Sequence, residues 1–143
     1  MTEENYPGVA NRVKAVVSDS VVTLILVIIV TYIFSIFENV PDNARIIAFI
    51  FIFFLYDPIF TSVFGGTIGH MMFGLRVKRE KDQMKNILFP LAMIRFLVKV
   101  SLGWISLLTV SGNKKRKAIH DYLVGSVVVY KGMNEERTNA NSK

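Results

Sequence analysis

The feature that most constrains this chain is an uncharged apolar run at residues 20–37, long enough to cross a lipid bilayer as a helix. Inside hydrocarbon a backbone must satisfy its own hydrogen bonds, so a run of this kind predicts a helix. Two further apolar blocks follow at residues 46–64 and 87–110, and the charges collect between them. With 52% hydrophobic residues, eleven phenylalanines and a mean hydropathy of +0.42 in 143 residues, the apolar content exceeds what a soluble domain of this size carries. One integral membrane domain over residues 1–132 is expected. The polar stretch at 133–143 has no apolar periodicity and reads as a disordered tail.

Arg12 and Lys14 precede the first run and would suit the basic region of a signal peptide. The run is long, however, and its exit at residues 38–41 lacks a small-x-small cleavage pattern, so a retained anchor is expected. There are no cysteines, which excludes disulfide and thiol chemistry.

Basic residues set the expected orientation, because short cytoplasmic loops keep an excess of Lys and Arg. Residues 38–45 hold Arg45 against Glu38 and Asp42, whereas 65–86 hold Arg76, Lys78, Arg79, Lys81 and Lys85. The first loop is therefore expected outside, and the second loop and N-terminus inside. A full crossing by the third block would put Lys114, Lys115, Arg116 and Lys117 outside. That block also carries Arg95 and Lys99 on one helical face and is interrupted by Pro90 and Gly103. A re-entrant or interfacial segment fits it better than a span.

Residues 75–79 and 126–131 read as short β-branched strands, each following a glycine. A lone strand leaves its ladder unpaired, so the two are expected to pair on one side. The fold expected is an all-α membrane protein with two transmembrane helices, at about 16–37 and 46–64. A re-entrant or interfacial third helical segment at about 87–110 and a short cytoplasmic β-ribbon complete it. Within the second span, Asp57-Pro58 predicts a kink or helix end near Tyr56.

Asp19 stands at the head of the first apolar run, where a deep carboxylate costs roughly 2–3 kcal/mol and calls for a partner. Arg12 shares its helical face but lies about 10.5 Å away along the axis at 1.5 Å per residue. A third group would join them, with Arg95, Lys99, His120 and Asp121 as candidates and hydroxyls available from Ser18, Ser20 and Thr23. The bland alternative is that Arg12 reaches lipid headgroups and Asp19 sets helix depth. Asp57 and His120 are secondary candidates, His120 because imidazole titrates near neutrality. No spacing of His, Asp and Glu reads as a metal site, and no cofactor motif is present. The basic run at 114–117 is expected to contact anionic lipid and not nucleic acid. Tyr6, Tyr32, Trp104 and Tyr122 are expected at membrane interfaces.

Three stretches together resemble the RDD family of small bacterial membrane proteins, named for one arginine and two aspartates. Residues 11–19 (NRVKAVVSD) resemble its arginine and first aspartate. Residues 65–77 (GGTIGHMMFGLRV) are similar to its G-x-T-x-G-K-x-x-x-G-x-x-V segment, with His70 in place of the usual lysine. Residues 120–129 (HDYLVGSVVV) resemble its H-D-x-x-A-G-T-x-V-V ending, with Val124 and Ser126 as departures. The resemblance runs from about Pro7 to Lys131 and implies Arg12, Asp19 and Asp121 as the named triad, on two spans. It also implies a transport role, since some members are described as sodium/proton antiporters.

The expected activity is accordingly a monovalent cation/proton antiporter in the inner membrane. In it Asp19 would alternately hold a proton and a cation, and the protein would act as a homo-oligomer because two spans cannot enclose a pathway. The alternative is a non-transporting module that assembles with or regulates a partner membrane protein or lipid, its Arg/Asp cluster being structural. An enzyme is not expected, as no nucleophile-base arrangement or phosphate loop is present.

Overall fold

A computed structural model of the chain describes residues 6–37, 39–103 and 105–132. The expectations for Trp104 and for the tail at 133–143 fall outside them. Helix α1 spans Val9–Ile36 and α2 spans Asp42–Phe64, both long and apolar enough to cross a membrane. Because α1 starts well before the uncharged run, Arg12 and Asp19 ride on one continuous helix.

Pro58 neither ends α2 nor leaves it regular. Its missing N–H cannot serve the carbonyl four residues earlier, and the strain falls on a π-helical turn at Phe51–Leu55, immediately upstream. The helix continues, which places Asp57 inside the span instead of at its end. It stops at Gly65, whose φ of +75° is the left-handed conformation that glycine adopts without strain.

A short helix α3, Ile68–Met72, capped by Thr67, leads into β1, Leu75–Arg79. Helix α4, Phe89–Leu102, has its proline in the first turn, where no backbone donor is missed. Then comes α5, Ile105–Leu108, extended by a 3₁₀ turn at Thr109–Gly112 and bent 103° from α4. Helix α6, Ile119–Leu123, precedes β2, Ser126–Tyr130. The strands pair antiparallel, from Leu75 opposite Tyr130 to Arg79 opposite Ser126, so Lys131 falls just outside the ribbon. Since β1 precedes the bent pair and β2 follows it, the third segment enters and leaves at one end of the molecule. Two candidate spans, a bent third pair and a two-stranded ribbon are the result.

Burial is inverted relative to a water-soluble protein. None of the most apolar stretch of α1 is buried, and Ile25, Ile28 and Phe53 stand open on the spans. The packed apolar residues lie at the ribbon end. Leu75, Val77 and Val128 meet Ala15, Ile87 and Ala92 on one face, while Val127 and Val129 meet Tyr6 on the other. Among the described residues the largest fully buried side chain is Arg95, 1% exposed. Lipid can solvate the apolar flanks; it cannot solvate the charges, which must therefore find each other.

Candidate functional site

Helix α6 brings Asp121, 0% exposed, between two guanidiniums. Arg12 Nη1 donates to one carboxylate oxygen at 2.6 Å, and Arg95 Nε donates to the other at 3.0 Å. The hydroxyl of Ser126 and the backbone N–H of Ala118 complete the shell at 3.1 and 3.2 Å. Burial works against the carboxylate, but Arg12 and Arg95 outweigh it and hold Asp121 well below the usual carboxylate range. One carboxylate thus ties α1, α4, α6 and β2 together. Arg12 also donates to the backbone oxygen of Arg116 at 2.6 Å.

The chain of charge continues through Arg95, whose Nη1 lies 4.0 Å from Asp57. Lys99 Nζ donates to Asp57 at 2.6 Å, which locks α4 onto α2, and Thr61 of α2 donates to the same carboxylate at 3.1 Å. His120 packs beside Asp121, its Nε2 3.6 Å from the carboxylate, with its Nδ1 2.6 Å from the Ser106 hydroxyl. Burial, reinforced by Arg95, pushes the His120 imidazole down to about 3, so it is neutral at pH 7.

Asp19 belongs to a second cluster. No ion pair joins it to Arg12, because a helical side chain leans toward the helix N-terminus and Arg12 points away from Asp19 toward α6. The partners of Asp19 come instead from α2 and α3. The Tyr56 hydroxyl donates at 3.0 Å, the backbone N–H of Gly69 at 2.7 Å, and the Thr67 hydroxyl at 2.5 Å. Ser20, expected as a hydroxyl partner, donates to the Val16 carbonyl. Thr67 Oγ1 also lies 2.6 Å from His70 Nδ1. With its one hydrogen given to Asp19, Thr67 must accept there, which assigns the proton to His70 Nδ1. Burial pushes the His70 imidazole down, with Lys99 and Arg95 adding to the effect against Asp19, so this contact is not an ion pair at neutral pH.

Gly69 makes this cluster possible. A Cβ there would overlap the Ala15 carbonyl and the Asp19 carboxyl, so only glycine lets α3 approach α1 closely enough to donate. The motif carrying Thr67 and Gly69 was visible in sequence without a role. A threonine at a helix N-cap position with glycine two residues on was the available signal.

The basic run folds partly inward. Lys115 and Lys117 reach Glu80 at 2.8 and 2.7 Å and hold its carboxyl below the usual range, while Arg116 donates to the Tyr6 carbonyl at 2.9 Å. Lys114 remains exposed.

The chain is 27% identical over 92 residues to the uncharacterized membrane protein YteJ of Bacillus subtilis (strain 168), a match covering 62% of this chain and 54% of that one. It thus spans about half the length of this curated relative. No solved structure matches. The sequence pattern of the RDD family matches residues 6–125, a stretch that holds Arg12, Asp19, Asp57, Arg95 and Asp121 and ends one residue before β2, and the chain belongs to that family.

Proposed function

We infer that the protein is a non-transporting membrane module that assembles with or regulates another membrane protein, its charged network being the device that holds the fold together in lipid. The observation that carries this reading is the clamp on Asp121: both oxygens are taken up by guanidiniums and further donors, so this carboxylate is not free to exchange an ion. The ribbon end is the cytoplasmic face of an inner-membrane, multi-pass protein in this reading. The concentration of Lys and Arg in residues 76–85 and 114–117 supports that orientation. The open apolar flanks of α1 and α2 are the surface against which lipid or a partner would lie.

A second reading, monovalent cation/proton exchange by an oligomer, rests on one specific observation. Asp19 is the buried carboxylate without an Arg or Lys partner among the described residues, and it borders a cavity of about 490 Å³ with Tyr56, Asp57 and Lys99. One experiment separates the two. In proteoliposomes carrying a sodium gradient, the module reading predicts no proton flux above that of empty vesicles, for the wild-type chain and for Asp19→Asn alike. Flux that is present in the wild type and lost in a folded Asp19→Asn variant would overturn it in favour of exchange.

A further inference from the structure

A cavity of about 340 Å³ lies between α1, α4 and α5, in the range of roughly 300–1,000 Å³ typical of small-ligand pockets. Among the described residues its charged lining is entirely basic: Arg12, Arg95 and Lys99. The carboxylates that pair with these cations, Asp57 and Asp121, do not line it. The ion-paired chain therefore holds three cations against two carboxylates, with the excess positive charge facing the cavity.

Two buried guanidinium donors on these lining residues make no hydrogen bond, Arg95 Nη1 having only the 4.0 Å ion-pair contact with Asp57. Arg12 and Arg95 are 3% and 1% exposed, and Nε of the first and Nη1 of the second make no hydrogen bond. An unsatisfied N–H on a buried guanidinium carries the desolvation cost of a charged donor with nothing returned. An oxyanion with several acceptor oxygens, carboxylate or phosphate, is what such donors recognise. The rim is of a different character. Ser20 and Val100 are exposed on the flanks of α1 and α4, and Leu107 on α5 is partly exposed, so the cavity opens sideways through surface that otherwise faces hydrocarbon.

We propose that this cavity is a binding site for a phosphate-class anion, with the sideways opening admitting the headgroup of an anionic phospholipid. Guanidiniums would take the phosphate oxygens, Lys99 would add a point charge at the mouth, and the acyl chains would leave past Val100 and Leu107 along the apolar flank. Basic pockets between membrane helices commonly hold anionic headgroups by this chemistry. The site goes beyond the module reading and does not depend on it.

The test uses the full chain in mild detergent, titrated with short-chain phosphatidylglycerol, with short-chain phosphatidylcholine, and with inorganic phosphate, each against chloride at equal ionic strength. Thermal unfolding and the ³¹P resonance of the added compound are followed. Phosphatidylglycerol is expected to raise Tm and broaden its ³¹P signal, more than phosphatidylcholine does. Ser20→Phe and Val100→Phe place bulk at the rim without touching an ion pair; they should leave the lipid-free Tm unchanged and weaken phosphatidylglycerol binding at least tenfold. Protection by inorganic phosphate that both rim variants leave intact would also support the anion site, while assigning its source to water and not to the bilayer. The proposal is overturned if neither phosphatidylglycerol nor inorganic phosphate protects beyond chloride, or if the rim variants leave lipid binding unchanged and inorganic phosphate does not bind.

Discussion

Asp19 and Asp121 are both buried carboxylates within reach of α1, yet they are held in opposite ways. Asp121 is neutralised by two guanidiniums, whereas Asp19 is surrounded by hydroxyls, a backbone N–H and a neutral imidazole. The difference lies in what each carboxylate joins. Asp121 must fasten a third segment that has no span of its own to hold it, and full charge pairing suits that task. Asp19 fastens a five-residue helix that glycine has already brought into contact with α1, and directional hydrogen bonds are enough. Charge pairing and close approach are thus two solutions to burying one carboxylate.

The widest separation between the two should appear on neutralising each acid. Asp121→Asn leaves Arg12 buried without its counter-ion and Arg95 with only Asp57 at 4.0 Å, and breaking such a pair costs about 3–5 kcal/mol. Thermal unfolding in detergent should show a large fall in Tm or loss of folded protein. A near-normal Tm would remove the distinction. Next in size is Gly69→Ala, whose methyl group must displace α3 from Ala15 and Asp19 at a cost of about 1–3 kcal/mol. If that variant unfolds like the wild type, close approach is not what supports the Asp19 cluster.

Asp19→Asn keeps the shape and one acceptor oxygen while facing neutral donors, and its expected cost is about 1–2 kcal/mol, below that of Asp121→Asn. Equal or greater destabilisation would mean that Asp19, like Asp121, is held by a full positive charge. The smallest effect is on pH. His70 and His120, one beside each carboxylate, are both held neutral by burial, so the folded state binds fewer protons than the unfolded chain below the ordinary histidine pKa of about 6.5. Stability is therefore full above that pH and is lost as pH falls, His120 continuing to contribute down to about 3. Between pH 7 and 6 each histidine should account for less than about 1 kcal/mol, the slope never exceeding about 1.4 kcal/mol per pH unit for one proton. His120→Gln should flatten its share of that slope. A Tm that rises on acidification over this range would contradict the neutral assignment.

The spans, the bent third segment and the ribbon were legible in sequence because each follows from a local and strong constraint. A run without charge demands helix, a basic stretch on the wrong side demands a return, and two lone strands demand each other. Arg95 and Lys99 could be read as partners of an acid because charges inside a membrane domain have few alternatives. What could not be read was which acid each would take. Arg12 and Asp19 sit on one face of one helix, yet the lean of a helical side chain sends Arg12 to a residue 109 positions on. The donors to Asp19 are neutral residues 37 to 50 positions away, and no charge pattern marks them. Asp57-Pro58 predicts a kink or a helix end near Tyr56 without choosing between them; the helix continues through a π-helical turn, because a membrane span cannot leave a carbonyl unserved and the sequence does not say how it will be accommodated.

The most direct test of the division into two clusters is a pair of double-mutant cycles on thermal stability that share the same Arg12 variant. Arg12→Gln is combined with Asp121→Asn in one cycle and with Asp19→Asn in the other. The account predicts a coupling of at least about 1.5 kcal/mol for Arg12 with Asp121 and less than about 0.5 kcal/mol for Arg12 with Asp19. A coupling to Asp19 as large as that to Asp121 would show that arginine and both acids act as one cluster, and would contradict it.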